Sequence, residues 1–425
     1  MNKRISFVVL LLFIFALVAV APTPLSRRAE AQSGVAFGAT RFPAIDVDKG
    51  DNLYLMMSVA TAPASEHRPH SQIFFTQSRD GGATWDNVPL TRNLSKSPGE
   101  AFGPSLAVTK QGTTRVYVTY HDDSTGVTQA YLIRSKKRAK FRKPQNITPH
   151  DGGAFAPRVA LDSAETVHVV WGDTKNGSRI AFVRSTDLGE TFSEPLFISG
   201  SSTAAFDPEI AVDSTDTINV VWQDGAVGAN GSIMFSRSTD GGQTFSAPLR
   251  VSTDDGRATE AHIAADSANH LHVVWVQETG TTTQGFYSRS TDGGQTFSEP
   301  VNVSNFPGGD IHKIVITTFE DKTIYIAFQN GDLFGENSGP NRQVFLVKSD
   351  DAGLTFFDPV QVSNADNNKG RAHSPAIVVD SRGVLHIVWI DASLLPGDEG
   401  LLFYSNSTNG RRFSKQQLIL AIVQV

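Results

Sequence analysis

From about residue 40 onward the chain alternates short apolar runs with clusters of turn residues. One cycle reads Pro208-Glu209-Ile210-Ala211-Val212-Asp213, then Ile218-Asn219-Val220-Val221-Trp222, then Ile233-Met234-Phe235-Ser236, and finally Pro248-Leu249-Arg250-Val251-Ser252. Each run is rich in β-branched and aromatic residues, too short for a helix, and bounded by Gly, Asp, Ser or Thr, which predicts four strands joined by turns. The same four-run grammar recurs along the chain, and helical periodicity is absent.

Between the third and fourth runs lies an eight-residue box, Ser-x-Asp-x-Gly-x-Thr-aromatic. It reads Ser78-Arg79-Asp80-Gly81-Gly82-Ala83-Thr84-Trp85 and recurs with the same spacing ending at Phe192, Phe245, Phe297 and Phe356. Two shortened copies, Ser135 to Phe141 and Ser407 to Phe413, lack the Asp and Thr but fall where the spacing places them. The seven terminal aromatics are 51 to 59 residues apart. Four strands per unit at that period predict an all-β fold, a β-propeller of seven four-stranded blades formed by residues 33–425 as one domain. A WD40 reading fails because the tryptophans precede an Asp by two positions, as in Trp171 and Asp173. In the box, Gly permits positive φ, Asp accepts backbone and hydroxyl hydrogen bonds, and the aromatic seals the blade. Residues that recur in every unit are architecture, so Asp80, Asp187, Asp240, Asp292 and Asp351 are read as structural.

Composition narrows the chemistry. The 425 residues include no cysteine, which excludes disulfide scaffolds, thiolate nucleophiles and Cys-ligated metals. Residues 1–31 read as an export signal, with basic Lys3 and Arg4, an apolar run from Phe7 to Ala21, and Ala29-Glu30-Ala31 as a cleavage site. An uncleaved N-terminal anchor is the alternative. Cleavage removes four basic residues and one acidic, taking the formal charge from −6 to −9. An acidic, exported body argues against nucleic acid as a partner.

Positions that break the repeat are candidates for function. In a propeller the first strand of each blade lines the central channel. Aligning these strands on Pro43, Pro104, Pro157, Pro208, Ala261, His312 and Pro375 makes the next position Ala44, Ser105, Arg158, Glu209, His262, Lys313 and Ala376. Asp207 and Glu260 occupy the preceding position. Arg158, Asp207, Glu209, Glu260, His262 and Lys313 are therefore expected at the channel mouth, either as a ligand site or as a solvated ring of compensating charges. Asp207, Glu209, Glu260 and His262 are the catalytic candidates, and His262 between carboxylates is expected to titrate near neutrality. His168, His272 and His386 share one strand position and read as architecture, as do Asp122, Asp173, Asp224 and Asp391 after the second strand. The run Arg134, Lys136, Lys137, Arg138, Lys140, Arg142 and Lys143 is either a solvated edge that discourages sheet pairing or an anion-binding surface.

The box resembles the Asp box, or BNR repeat, of the sialidase (neuraminidase) superfamily. That resemblance implies a glycan ligand and offers a six-bladed propeller as the alternative to seven blades. Arg41-Phe42-Pro43 resembles the family's Arg-Ile-Pro motif, implying that Arg41 grips a carboxylate through its guanidinium fork. Arg158 and Arg371, with Lys313, are the further ligand-binding candidates, and Arg257 is placed to take part. The chain departs from the sialidase pattern where the chemistry would sit. The loop 60–71 has no Asp and offers Glu66, His67, Arg68 and His70, and among seven tyrosines Tyr120 alone is expected near the mouth. The sequence thus predicts a sialidase-like propeller binding a glycan or other anionic extracellular ligand. An exo-sialidase or related glycosidase, and a scaffold meeting a protein partner through loops 329–343 and 391–400, remain the alternatives. No cofactor and no metal set is implied.

Overall fold

The computed structural model describes residues 35–37, 40–61, 70–86, 92–202, 204–225, 231–306, 310–331, 342–363, 371–393, 400–419 and 422–424. The expected export segment, Glu66, His67, Arg68, and most of the loops 329–343 and 391–400 lie outside these residues.

The chain forms a seven-bladed β-propeller of antiparallel sheets. Blade four shows the pattern: Ala205–Val212, Ile218–Asp224, Ser232–Ser238 and Leu249–Arg250 pair in sequence order. The other inner strands are Thr40–Val47, Ala101–Val108, Ala154–Leu161, Ala258–Ala265, Ile311–Phe319 and Ala372–Val379. In blade one the fourth position is a single bridge between Phe74 and Asn93 among the described residues. Val35–Phe37 pairs antiparallel with Ile422–Gln424, bringing the two ends of the described chain together. Because strands alternate in direction, the boxes between strands three and four share one face, and the approaches to the inner strands share the other.

The cores lie between blades. Val170, Ile180 and Phe182 of blade three pack with Ala205, Ile218, Val220 and Trp222 of blade four, and blades seven and one meet likewise through Val388, Ile390 and Leu402 against Leu53, Leu55 and Met57. The box aromatics belong to these seams, which corrects the expectation that each seals its own blade. Phe245 meets Phe182 of the preceding blade edge-on at 4.9 Å, Phe297 meets Phe235 at 5.1 Å, and Trp85 closes the ring on Tyr404 at 5.3 Å. Gly242, at φ 82°, lies beneath the same ring, since a Cβ there would fall 2.5 Å from Phe182. No side chain fits, so the box requires glycine at that position.

The box aspartates hold their own turns. Asp240 accepts from Ser238 Oγ at 2.7 Å, from the Thr244 backbone at 3.0 Å and from Thr244 Oγ1 at 2.6 Å. Asp80, Asp187, Asp292 and Asp351 make the same set. These bonds, the Thr244 hydroxyl's foremost, hold the Asp240 carboxyl well below the usual carboxylate range. Third-strand arginines then tie the boxes of blades three to six to the preceding blade, Arg134 and Arg237 among them: Arg184 donates to the Gly241 carbonyl at 2.6 Å and Arg289 to that of Ala352 at 2.8 Å. His168, His272 and His386 each face an aspartate six residues earlier, at 3.1, 3.2 and 3.3 Å from Asp162, Asp266 and Asp380.

Candidate functional site at the channel mouth

Every inner strand carries a β-bulge at the same level. The register shifts between Arg41 and Ala44, Phe102 and Ser105, Phe206 and Glu209, Thr259 and His262, His312 and Val315, and His373 and Ala376. Blade three shifts at the same point opposite Val170 and Gly172. The bulged residue has positive φ in all seven blades: Phe42, Gly103, Ala156, Asp207, Glu260, Lys313 and Ser374. In five blades a proline follows, and lacking an N–H it costs the interrupted ladder no bond.

The bulges correct the sequence alignment in blade six. Ile314, not His312, is the counterpart of Pro208, so Val315 takes the position of Glu209 and Lys313 takes the bulge position beside Asp207 and Glu260. Blade six has no proline there to mark the register. Two residue levels therefore carry the chemistry, with Asp207, Glu260 and Lys313 on the bulges and Arg158, Glu209 and His262 just inside.

These six side chains line a channel cavity of about 900 Å³ together with Phe42, Phe102 and His121. The rim has two unlike halves. Blades one to three supply aromatic rings: Phe42 is 41% exposed, Phe102 meets the His121 ring edge-on at 3.9 Å, and Phe155, 43% exposed, lies 6.3 Å from His121. Blades three to six supply the charged groups. Below the rim the walls are small, at Ala107, Ala160 and Ala211.

The charges are largely paired. Arg158 Nε donates to Glu209 Oε1 at 2.5 Å, and Glu209 Oε2 lies 4.0 Å from His262 Nε2. Burial pulls the Arg158 guanidinium down, but Glu209 and Asp207 more than offset this and raise it. Lys313 approaches Glu260 twice, its backbone N–H donating to Oε2 at 2.5 Å and its ammonium lying 3.4 Å from Oε1. In blades one and six the bulge N–H of the following blade is met instead by a second-strand side chain, Ser58 to Gly103 and Gln329 to Ser374. Blade five has Val276 at that position, and the Glu260 carboxylate takes over the task. Glu260 is thus partly a structural group. Burial pushes the His262 imidazole down from its usual range, outweighing the opposing pull of Glu209.

Other expected groups are placed elsewhere. Arg371 does not line the cavity; its backbone N–H donates to Ser393 Oγ at the start of blade seven. Arg257 faces Glu278 at 3.9 Å. Arg41 lies on the inner strand opposite Ser58, and its side chain is outside the described residues. Tyr120 is not near the mouth: it is 1% exposed and stacks on Tyr131 at 5.7 Å. No tyrosine lines the cavity. His121 was missed by sequence reasoning, although it stands between Tyr120 and Asp122 where blades three and four carry Gly172 and Gln223. Burial pushes it down to about 4, and its Nδ1, like that of His262, has no protein hydrogen-bond partner.

A propeller with a mixed aromatic and charged mouth, locked by repeated Asp boxes, defines the class. Residues 166–387, just over half of the chain, match the BNR repeat-like domain, and the chain belongs to that family. A sialidase of Bacteroides fragilis (strain YCH46) is 26% identical over 197 residues, which are 46% of this chain and 34% of that protein. The chain thus matches about a third of that sialidase's length. Among solved structures, a protein of unknown function from Dyadobacter fermentans DSM 18053 is similar with a TM-score of 0.53 at 14% identity, covering 88% of this chain and 99% of that one. An ulvan lyase, a polysaccharide lyase solved bound to a GlcA(1-4)Rha3S unit, is similar with a TM-score of 0.58 at 11% identity, covering 91% and 95%. These two likenesses are of fold.

Proposed function

We propose that this BNR propeller is exported and binds a glycan at the mouth of its central channel. The observation that carries this reading is the divided rim. A sugar ring has an apolar face and a hydroxylated edge; Phe42, Phe102 and Phe155 suit the first, while Glu209, Glu260, Asp207 and the imidazoles of His121 and His262 suit the second. Neutral imidazoles offer one donor and one acceptor nitrogen each, a suitable match for hydroxyl groups. A simple anion fits less well, because Arg158 and Lys313 must each give up a carboxylate to meet it. Binding without sialidase chemistry is favoured because no tyrosine lines the cavity, and the buried Tyr120, beside His121 in sequence, has its hydroxyl pushed far above the usual range, chiefly by burial.

The test is a glycan array with the purified chain, run beside an assay of fluorogenic sialoside hydrolysis. Binding of a defined glycan set without hydrolysis is expected. Arg41→Lys, which keeps the charge but loses the fork, separates the readings: in a sialidase it lowers hydrolysis steeply. Robust hydrolysis by the parent, or no glycan bound at all, overturns the proposal.

A further inference from the structure

The shortened second box leaves the most concentrated charge on the molecule unexplained. Lys136, Lys137, Arg138, Lys140, Arg142 and Lys143 are all exposed, and the stretch 124–150 contains no Asp or Glu. The same turn in blades three, four, five and six carries no Lys or Arg, and the whole chain is acidic. Glu190 of blade three is shared by Arg134 and Arg142. Lys136, Lys137, Arg138, Lys140 and Lys143 make no ion pair among the described residues. Like charges crowded without counter-charges oppose folding, so these five cations carry a cost that the Glu190 bridges of Arg134 and Arg142 do not offset.

The turn is also held in shape. Lys136 N–H donates to the Lys140 carbonyl at 2.9 Å, Arg138 N–H to the Thr114 carbonyl at 2.6 Å, and Arg142 N–H to the Arg134 carbonyl at 2.8 Å. Phe141 anchors it edge-on against Phe75 at 5.0 Å, with the Arg92 guanidinium 5.0 Å from the Phe141 ring. The cations therefore project from a fixed backbone on the box face, opposite the channel mouth.

We propose that this turn is a second binding surface, for an acidic polysaccharide bearing sulfate or carboxylate groups. A spaced row of ammonium groups matches a flexible chain of exposed anions, and the negative charge of the remaining body confines such a polymer to this turn. The turn bears no exposed apolar side chain to enter a bilayer and no exposed aromatic ring to stack on bases. The proposal is independent of what the mouth binds.

The full chain is titrated with heparin and with polygalacturonate across a salt series. Saturable binding to either probe is expected, the two distinguishing sulfate from carboxylate. The variant Lys136→Gln/Lys137→Gln/Lys140→Gln/Lys143→Gln is expected to bind at least tenfold more weakly. Its log K against log salt should be shallower by roughly three to four, by counterion release, with an unfolding temperature equal to the parent's or higher, since like-charge repulsion is relieved. Phe42→Ala at the mouth should leave this binding intact. Failure of the parent to bind either polymer, or equal binding by the quadruple variant, overturns the proposal. So does equally tight binding of phosphatidylglycerol vesicles or duplex DNA, which reassigns the turn to lipid or nucleic acid.

Discussion

Arg158 of blade three reaches across the seam to Glu209 of blade four, its Nε donating to Oε1 at 2.5 Å inside the channel mouth. Each is about three-quarters or more shielded from solvent, with side-chain exposures of 26% and 17%. Removing one charge strands the other in a poorly solvated site. Glu209→Gln is expected to cost about 1–3 kcal/mol of unfolding free energy and to weaken glycan binding. Adding Arg158→Met should restore part of the stability but none of the binding. Denaturant unfolding and affinity measured on the same samples check this; unchanged affinity in Glu209→Gln would count against a mouth site.

Phe42 tests the aromatic half of the rim. The residue is 41% exposed in the free protein, so Phe42→Ala removes far less packing than truncating a core ring. Stability should change by no more than about 0.5 kcal/mol, while glycan affinity falls at least tenfold. A loss of stability with intact affinity would make the ring architectural.

The boxes should behave in the opposite way. Phe245 is partly buried against Phe182, and Phe245→Ala is expected to cost about 2–4 kcal/mol without altering ligand affinity. Gly242→Ala should also destabilise, because its Cβ meets the Phe182 ring and its φ is positive. Thermal unfolding of both variants beside a binding assay decides the matter.

Acid should weaken the fold through its buried imidazoles. His121 is pushed down to about 4 from 6.5 by burial, so the unfolded chain binds its proton more readily than the folded one. Its contribution is fully present above pH 6.5, declines as pH falls, and is exhausted near pH 4, a span of about 3 kcal/mol. His262, His272 and His386 are pushed down by burial as well and act in the same direction. The variant His121→Leu should flatten part of the stability profile between pH 6.5 and 4. A parent whose unfolding free energy is level across that window would contradict the assignment.

The repeat made the blades legible because Ser, Asp, Gly and Thr each perform a task that no neighbour can assume. Phe245 was legible as buried, but its partner was not. The seam partner of each such box aromatic lies more than sixty positions away, as Phe182 does from Phe245 and Phe235 from Phe297, and a repeat reports each unit without its neighbours. Blade six shows another limit. Proline marked the bulge in five blades, and with Ile314 in its place the sequence offered no sign that Lys313 belongs one level above Glu209. The cluster of Arg158, Glu209 and His262 could be picked out because it breaks the pattern. Its pairing could not, since whether a cation is free or neutralised depends on side chains from two or three blades. His121 escaped notice because it follows a strand aromatic and resembles an ordinary interior residue.

The seven bulges give the molecule a division of labour between frame and instruction. Each fixes its strand against slippage through a backbone feature that tolerates Phe, Gly, Ala, Asp, Glu, Lys or Ser at the same place. With the residue just inside it, every blade thus offers two positions whose identity the scaffold barely constrains. Fourteen such positions ring one opening. A change in what the channel receives therefore needs no new loop or domain, only respelling of those letters while the boxes on the far face hold the wheel together.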